Sequence, residues 1–86
     1  MRSAAKFFAG MVVGLAIAMP AMALPTFPDE VQAQRHCPTD TVVWINLPTM
    51  IWHYKGQRWY GRTHHGAYAC AKEAAASGAR GTRNGQ

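Results

Sequence analysis

Apolar and polar positions divide the chain into stretches of different character. Residues 7–19 are apolar or glycine, with Arg2 and Lys6 before them and Pro20 after them. Ala21 and Ala23 then place small residues at the −3 and −1 positions of a cleavage site. This is the layout of a secretory leader, cut after Ala23, with retention as an uncleaved anchor as the alternative. As a helix, an apolar centre of about 13 residues would span roughly 20 Å, short of the roughly 30 Å of a hydrocarbon core. Residues 24–36 have Pro25, Pro28, Asp29 and Glu30 and almost no apolar periodicity, which predicts a flexible arm. Residues 41–46 are rich in β-branched and aromatic types and read as a strand. Residues 50–54 form a second run, whose alternation puts Met50, Trp52 and Tyr54 on one face and Ile51 and His53 on the other. A short third strand is expected at residues 58–60 and another extended piece at 67–69. Residues 71–77 have strong helix propensity, with Gly78 where a left-handed residue closes a helix. Cys70 would stand near the N-cap and Glu73 at N3, as in a capping box. Residues 81–86 are polar and glycine-rich and are expected to fray. The fold class read from this pattern is α+β. The domain spans residues 37–80, a small antiparallel sheet of two to four short strands followed by one short C-terminal helix.

Composition narrows the function. A leader of 23 residues leaves 63 of the 86, and losing Arg2 and Lys6 with it lowers the formal net charge from +5 to +3. A chain so short buries too little surface to hold a precise, enclosed catalytic site, so the reading is non-enzymatic and without a cofactor.

Two cysteines remain, Cys37 before the first strand and Cys70 at the helix start. An even count in an exported chain points to one disulfide stapling sheet to helix. A metal site using Cys37, Cys70 and a nearby histidine such as His36 is the competing reading, but no CxxC or HxxxH spacing accompanies it.

The densest chemistry lies in residues 52–64, where Trp and Tyr alternate with Lys, Arg and His. Aromatic faces interleaved with cations stack sugars or bases and neutralise anions. Trp44, Trp52 and Tyr68 are the aromatics expected in the core. His53, Arg58, Trp59, Tyr60, Arg62 and His64 are the candidate ligand-binding residues. General-base chemistry at a histidine would need a nucleophile within reach, and no triad can be placed.

The elements Val43-Trp44-Ile45-Asn46, Arg58-Trp59-Tyr60-Gly61-Arg62-Thr63 and Gly66-Ala67-Tyr68-Ala69-Cys70, followed by an alanine-rich helix ending Gly78-Ala79-Arg80, resemble a set of small exported bacterial proteins of unknown function. More remotely the layout is similar to the sunset domain and to the zinc-binding N-terminal domain of Ada-type DNA repair proteins. The resemblance implies strands followed by a helix. It carries over neither zinc binding nor thiolate methyl transfer, because that family's cysteine pair after the helix is replaced here by Ala79-Arg80-Gly81-Thr82-Arg83.

The functional expectation is a periplasmic or extracellular module of the bacterial envelope, binding or structural, whose partner is an anionic glycan or lipid headgroup. A nucleic-acid binder using residues 52–64 is the first alternative, although its cations are spread along the chain. A His/Cys metal-binding protein is the second.

Overall fold

The computed structural model describes residues 23–86, so the leader read at 1–23 lies, except for Ala23, outside the described residues. The elements follow in the order α1 (Glu30–His36), β1 (Val42–Asn46), β2 (Ile51–His53), β3 (Gly66–Cys70), α2 (Ala71–Ala76) and β4 (Arg80–Gly81). The strands form one sheet in the order β3-β1-β2-β4. The α+β class, a four-stranded sheet with a short helix near the C-terminal end and a Cys37–Cys70 disulfide, is therefore as the sequence implies. The sheet is mixed rather than wholly antiparallel, since β2 and β4 run parallel.

Register assigns the side chains to two faces. Ile45 pairs with Trp52 and Ala67, and Val43 pairs with Ala69. Val43, Ile45, Trp52 and Ala69, with Ala74 of α2 and Ala79, make the buried hydrophobic core, and Leu24, Met50 and Ala71 pack on its edge. Trp44 pairs with His53 on one side and Tyr68 on the other, so these three share the opposite face. Trp52 is therefore core as expected, whereas Trp44 and Tyr68 are half-buried on the second face. Their rings meet edge to face at 4.8 Å.

The arm expected over residues 24–36 is instead ordered structure. Asp29 caps α1, its carboxylate accepting from Val31 N at 2.7 Å and Gln32 N at 3.4 Å. Glu30 in the first turn and Arg35 and His36 in the last turn suit the helix dipole. Seven residues cannot sustain a helix alone. This one buries Ala33 completely and ends at Cys37, the disulfide residue. Ahead of it Phe27 bridges Tyr68, with Phe27 N donating to Tyr68 O at 2.8 Å and Tyr68 N to Phe27 O at 2.9 Å. Gln34 Nε2 donates to the carbonyls of Cys37 and Asp40, closing the turn that leads to β1.

Helix α2 starts at Cys70, but the expected capping box does not form: the Cys70 side chain makes no cap bond. Its sulfur is committed to Cys37, and the cap comes from far away in sequence. Lys72 N donates to Asp40 Oδ2 at 2.9 Å, and Ala71 N donates to Thr41 O at 2.9 Å. At the other end Gly78 adopts φ 99°, and Gly78 N donates to Ala75 O while Ala79 N donates to Ala74 O. This is a Schellman close, and it turns the chain back onto the sheet. Residues 80–82 then run alongside β2, with Arg80 N donating to Met50 O and Thr82 N to Trp52 O, although 81–86 was expected to fray. Gly81 lies close against the Trp52 indole.

Residues 58–60, expected as a strand, are part of a turn-rich loop over 54–65. No helix among the described residues is long and apolar enough to cross a membrane.

Asp40 thus closes the first turn of α2 although it lies 32 residues before Lys72. Replacing Asp40 with Ala should cost about 1 kcal/mol, the usual effect of losing a cap. Urea unfolding of the oxidised chain measures this, and an unchanged midpoint would show that the cap contributes nothing.

Candidate functional site

The loop over 54–65 folds across the second face of the sheet, and its own sequence explains how. Trp44 Nε1 donates to Thr63 Oγ1 at 2.8 Å. A Cβ at Gly66 would overlap the Trp44 ring, so only glycine admits the indole there. Gly61 has φ 72° and passes close to the Tyr68 hydroxyl. The Tyr60 ring packs on Tyr68 at 5.6 Å. Much of the motif spanning residues 58–63 is therefore architecture, since Tyr60, Gly61 and Thr63 seat the loop on Trp44 and Tyr68.

Beyond this aromatic seat the loop leaves an open groove of about 610 Å³. Asn46, Ile51 and His53 from β1 and β2 contribute to its lining. Trp59, Arg62, His64 and His65 come from the loop, and Thr82, Asn84 and Gln86 from the segment after β4. The end of that segment is held by Trp59 N donating to Gln86 O at 3.1 Å. Asn84 Oδ1 accepts from Thr82 Oγ1 at 2.7 Å and from Gln86 N at 3.2 Å, which fixes the wall's shape. Among the described residues no Asp or Glu side chain lines the groove. Arg62 and the histidines supply cationic or hydrogen-bonding groups, and amides and hydroxyls supply neutral ones.

His53 is the one polar residue buried among the described residues, with 8% exposure. Its Nδ1 is buried and has no hydrogen-bond partner among them. A buried polar nitrogen without a partner costs about 1–3 kcal/mol, a burden usually explained by strain, an unseen water or a functional role. Trp59 is 39% exposed, and the Arg58 guanidinium stands over its ring at 5.0 Å from the centroid. That cation–π contact braces the indole, which lines the groove.

Of the six candidate residues, the structure brings His53, Trp59, Arg62 and His64 to one groove. Arg58 reaches it only through Trp59. Tyr60 is turned away from it, onto Tyr68, and its hydroxyl is buried without a hydrogen-bond partner among the described residues. Sequence reasoning left out His65, Asn46 and the wall at Thr82, Asn84 and Gln86. Only the polarity of the last segment hinted at it, because its anchor on Trp59 lies 27 residues away.

A second cluster lies at the disulfide. His36 Nε2 contacts both Glu73 oxygens at 3.0 and 2.9 Å. These atoms and Cys70 Sγ lie within 4.8 Å of one another. The His36 ring also rests against Phe27, with centroids 5.1 Å apart. In the oxidised chain both sulfurs are committed to each other, so this cluster offers only His36 and Glu73 as free ligands.

Compared with family models, with curated proteins and with solved structures, the chain matches none.

Burial, and after it the negative charge of Glu30, pushes the Tyr60 phenol well above its ordinary range. The folded value is raised, so the stabilising contribution is complete below the unfolded value near pH 10 and is lost as pH rises through the folded one. In a spectrophotometric alkaline titration Tyr60 should ionise in a late phase that accompanies unfolding. Tyr60→Phe should remove that phase, and an unchanged curve would contradict the burial.

Proposed function

We propose that the chain is an exported, non-catalytic binding module of the bacterial envelope whose groove takes an acidic glycan. Export is supported by the leader-like residues 1–23 together with the disulfide, a bond that persists in oxidising compartments. The observation that carries the binding assignment is the buried, unpartnered Nδ1 of His53 in a groove that no Asp or Glu side chain lines among the described residues, and that contains Arg62 and an exposed Trp59. An aromatic face packs against the apolar side of a sugar ring, amides and threonines bond its hydroxyls, and Arg62 meets its acidic group. The non-catalytic assignment rests on chemistry within reach. Among the described residues no histidine is hydrogen-bonded to a hydroxyl, and both cysteines are joined.

Nucleic acid is the weaker reading. Arg35, Lys72, Arg80 and Arg83 do not line the groove, which among the described residues has Arg62 as its single arginine and no lysine. A phosphate-tracking surface would need more.

Heparin retention tests the assignment directly. The mature chain should be retained at low salt, and the Arg58→Ala, Arg62→Ala double variant should bind about tenfold more weakly, the scale of one lost charged hydrogen bond. Unaltered retention of that double variant removes this surface from consideration. Tighter binding to single-stranded DNA or to anionic-lipid vesicles than to heparin would overturn the glycan as the ligand.

A further inference from the structure

The corner where α1 meets the β3–α2 junction has a chemistry the groove does not use. Helix α1 ends with His36 and Cys37, and α2 begins after Cys70 with Glu73 one turn in. Helix packing brings three metal-binding side chains, His36, Cys70 and Glu73, from two distant parts of the chain to one place, and the disulfide ties Cys37 to this cluster through Cys70. His36, Glu73 and Cys70 already hold their donor atoms within 4.8 Å, and Cys37 is bonded to Cys70. Phe27 and Glu73 restrain the His36 ring, which limits the reorganisation that ligation would need.

We propose that reduction of the Cys37–Cys70 bond converts this corner into a site for one thiophilic divalent cation of the zinc type, held by Cys37, Cys70, His36 and Glu73. Two thiolates, one imidazole and one carboxylate form a four-donor set suited to a tetrahedral ion. The step balances with a dithiol reductant. It delivers two electrons and two protons, the S–S bond breaks to two thiols, and the reductant becomes a disulfide. The cation then displaces both thiol protons to water and forms two metal–thiolate bonds, while Glu73 exchanges its His36 contact for the metal. The ion would take over the disulfide's task of joining α1 to α2, so the fold alternates between a covalent tie and a coordinate one. Metal binding and folding are then the same free-energy change.

The test is zinc titration of the mature chain against a chromophoric chelator, with and without a phosphine reductant that is itself taken to the phosphine oxide. The reduced chain should bind one equivalent and recover the near-ultraviolet circular dichroism of the oxidised chain. The oxidised chain should bind at least about a hundredfold more weakly, having lost both thiolates. His36→Ala and Glu73→Gln should each weaken binding to the reduced chain by about tenfold or more, at least the effect seen when a second-shell partner is removed. Both variants retain the disulfide when oxidised, so their folding is checked in that state. Equal zinc affinity in reduced wild type and both variants would mean two thiolates on an unfolded chain and would overturn the proposal. So would zinc binding that ignores the redox state, or none at all in the reduced chain.

Discussion

One covalent bond holds together parts of this molecule that could not hold themselves. Helix α1 has seven residues and α2 has six, each too short to persist without packing. The Cys37–Cys70 disulfide joins the end of the first to the start of the second, across 33 residues of sequence, with Cα atoms 6.3 Å apart. Cys70 is wholly buried and is also the last residue of β3, so the bond fixes both helices to the sheet at a single corner. Constraining a loop of that length in the unfolded chain is worth roughly 3.7 kcal/mol in the chain-entropy account. A domain of this size has a core that rarely supplies more than about 3–5 kcal/mol. The staple is therefore comparable to the whole stability, and the hydrophobic core of Val43, Ile45, Trp52 and alanines works within the frame it sets.

From that frame the two faces of the sheet take different tasks. One face is closed by small residues of α2, which let the helix approach β1 and β3 closely. The other is covered by α1 at the disulfide end and by the loop over 54–65 through the middle. The groove opens where that cover stops. Its floor is His53, its near wall the loop with Trp59 and Arg62, and its far wall the segment after β4. The Schellman turn at Gly78 directs that segment into place, so the end of a core helix and the edge of the groove are linked through a few backbone bonds.

What could be read from the sequence was local. β1, β2 and α2 follow from β-branched runs, alternation and alanine content, and Gly78 from its place after the helix. Two cysteines admit only one intramolecular pairing. What could not be read was mostly decided at long range. Asp29 after Pro28 is a sound N-cap, yet α1 has almost no apolar periodicity, because a single alanine, Ala33, is its buried contact. The cap of α2 lies at Asp40 rather than within the expected box, since the Cys70 sulfur is taken and Glu73 turns to His36. Residues 58–60 have strand-forming side chains, but Gly61 at positive φ and the seating of Tyr60 on Tyr68 impose a turn. Within the groove, the aromatic-basic pattern pointed to four of the lining residues. The polar wall stayed hidden because its anchors, Trp52 of β2 and Trp59 of the loop, are distant in sequence.

Urea unfolding of residues 24–86, oxidised against reduced and with a chelator present to exclude metal, tests the dependence on the staple most directly. The account predicts that reduction removes roughly 3.7 kcal/mol, leaving a chain largely unfolded without denaturant. A reduced chain that unfolds cooperatively at nearly the same urea concentration as the oxidised one would contradict it.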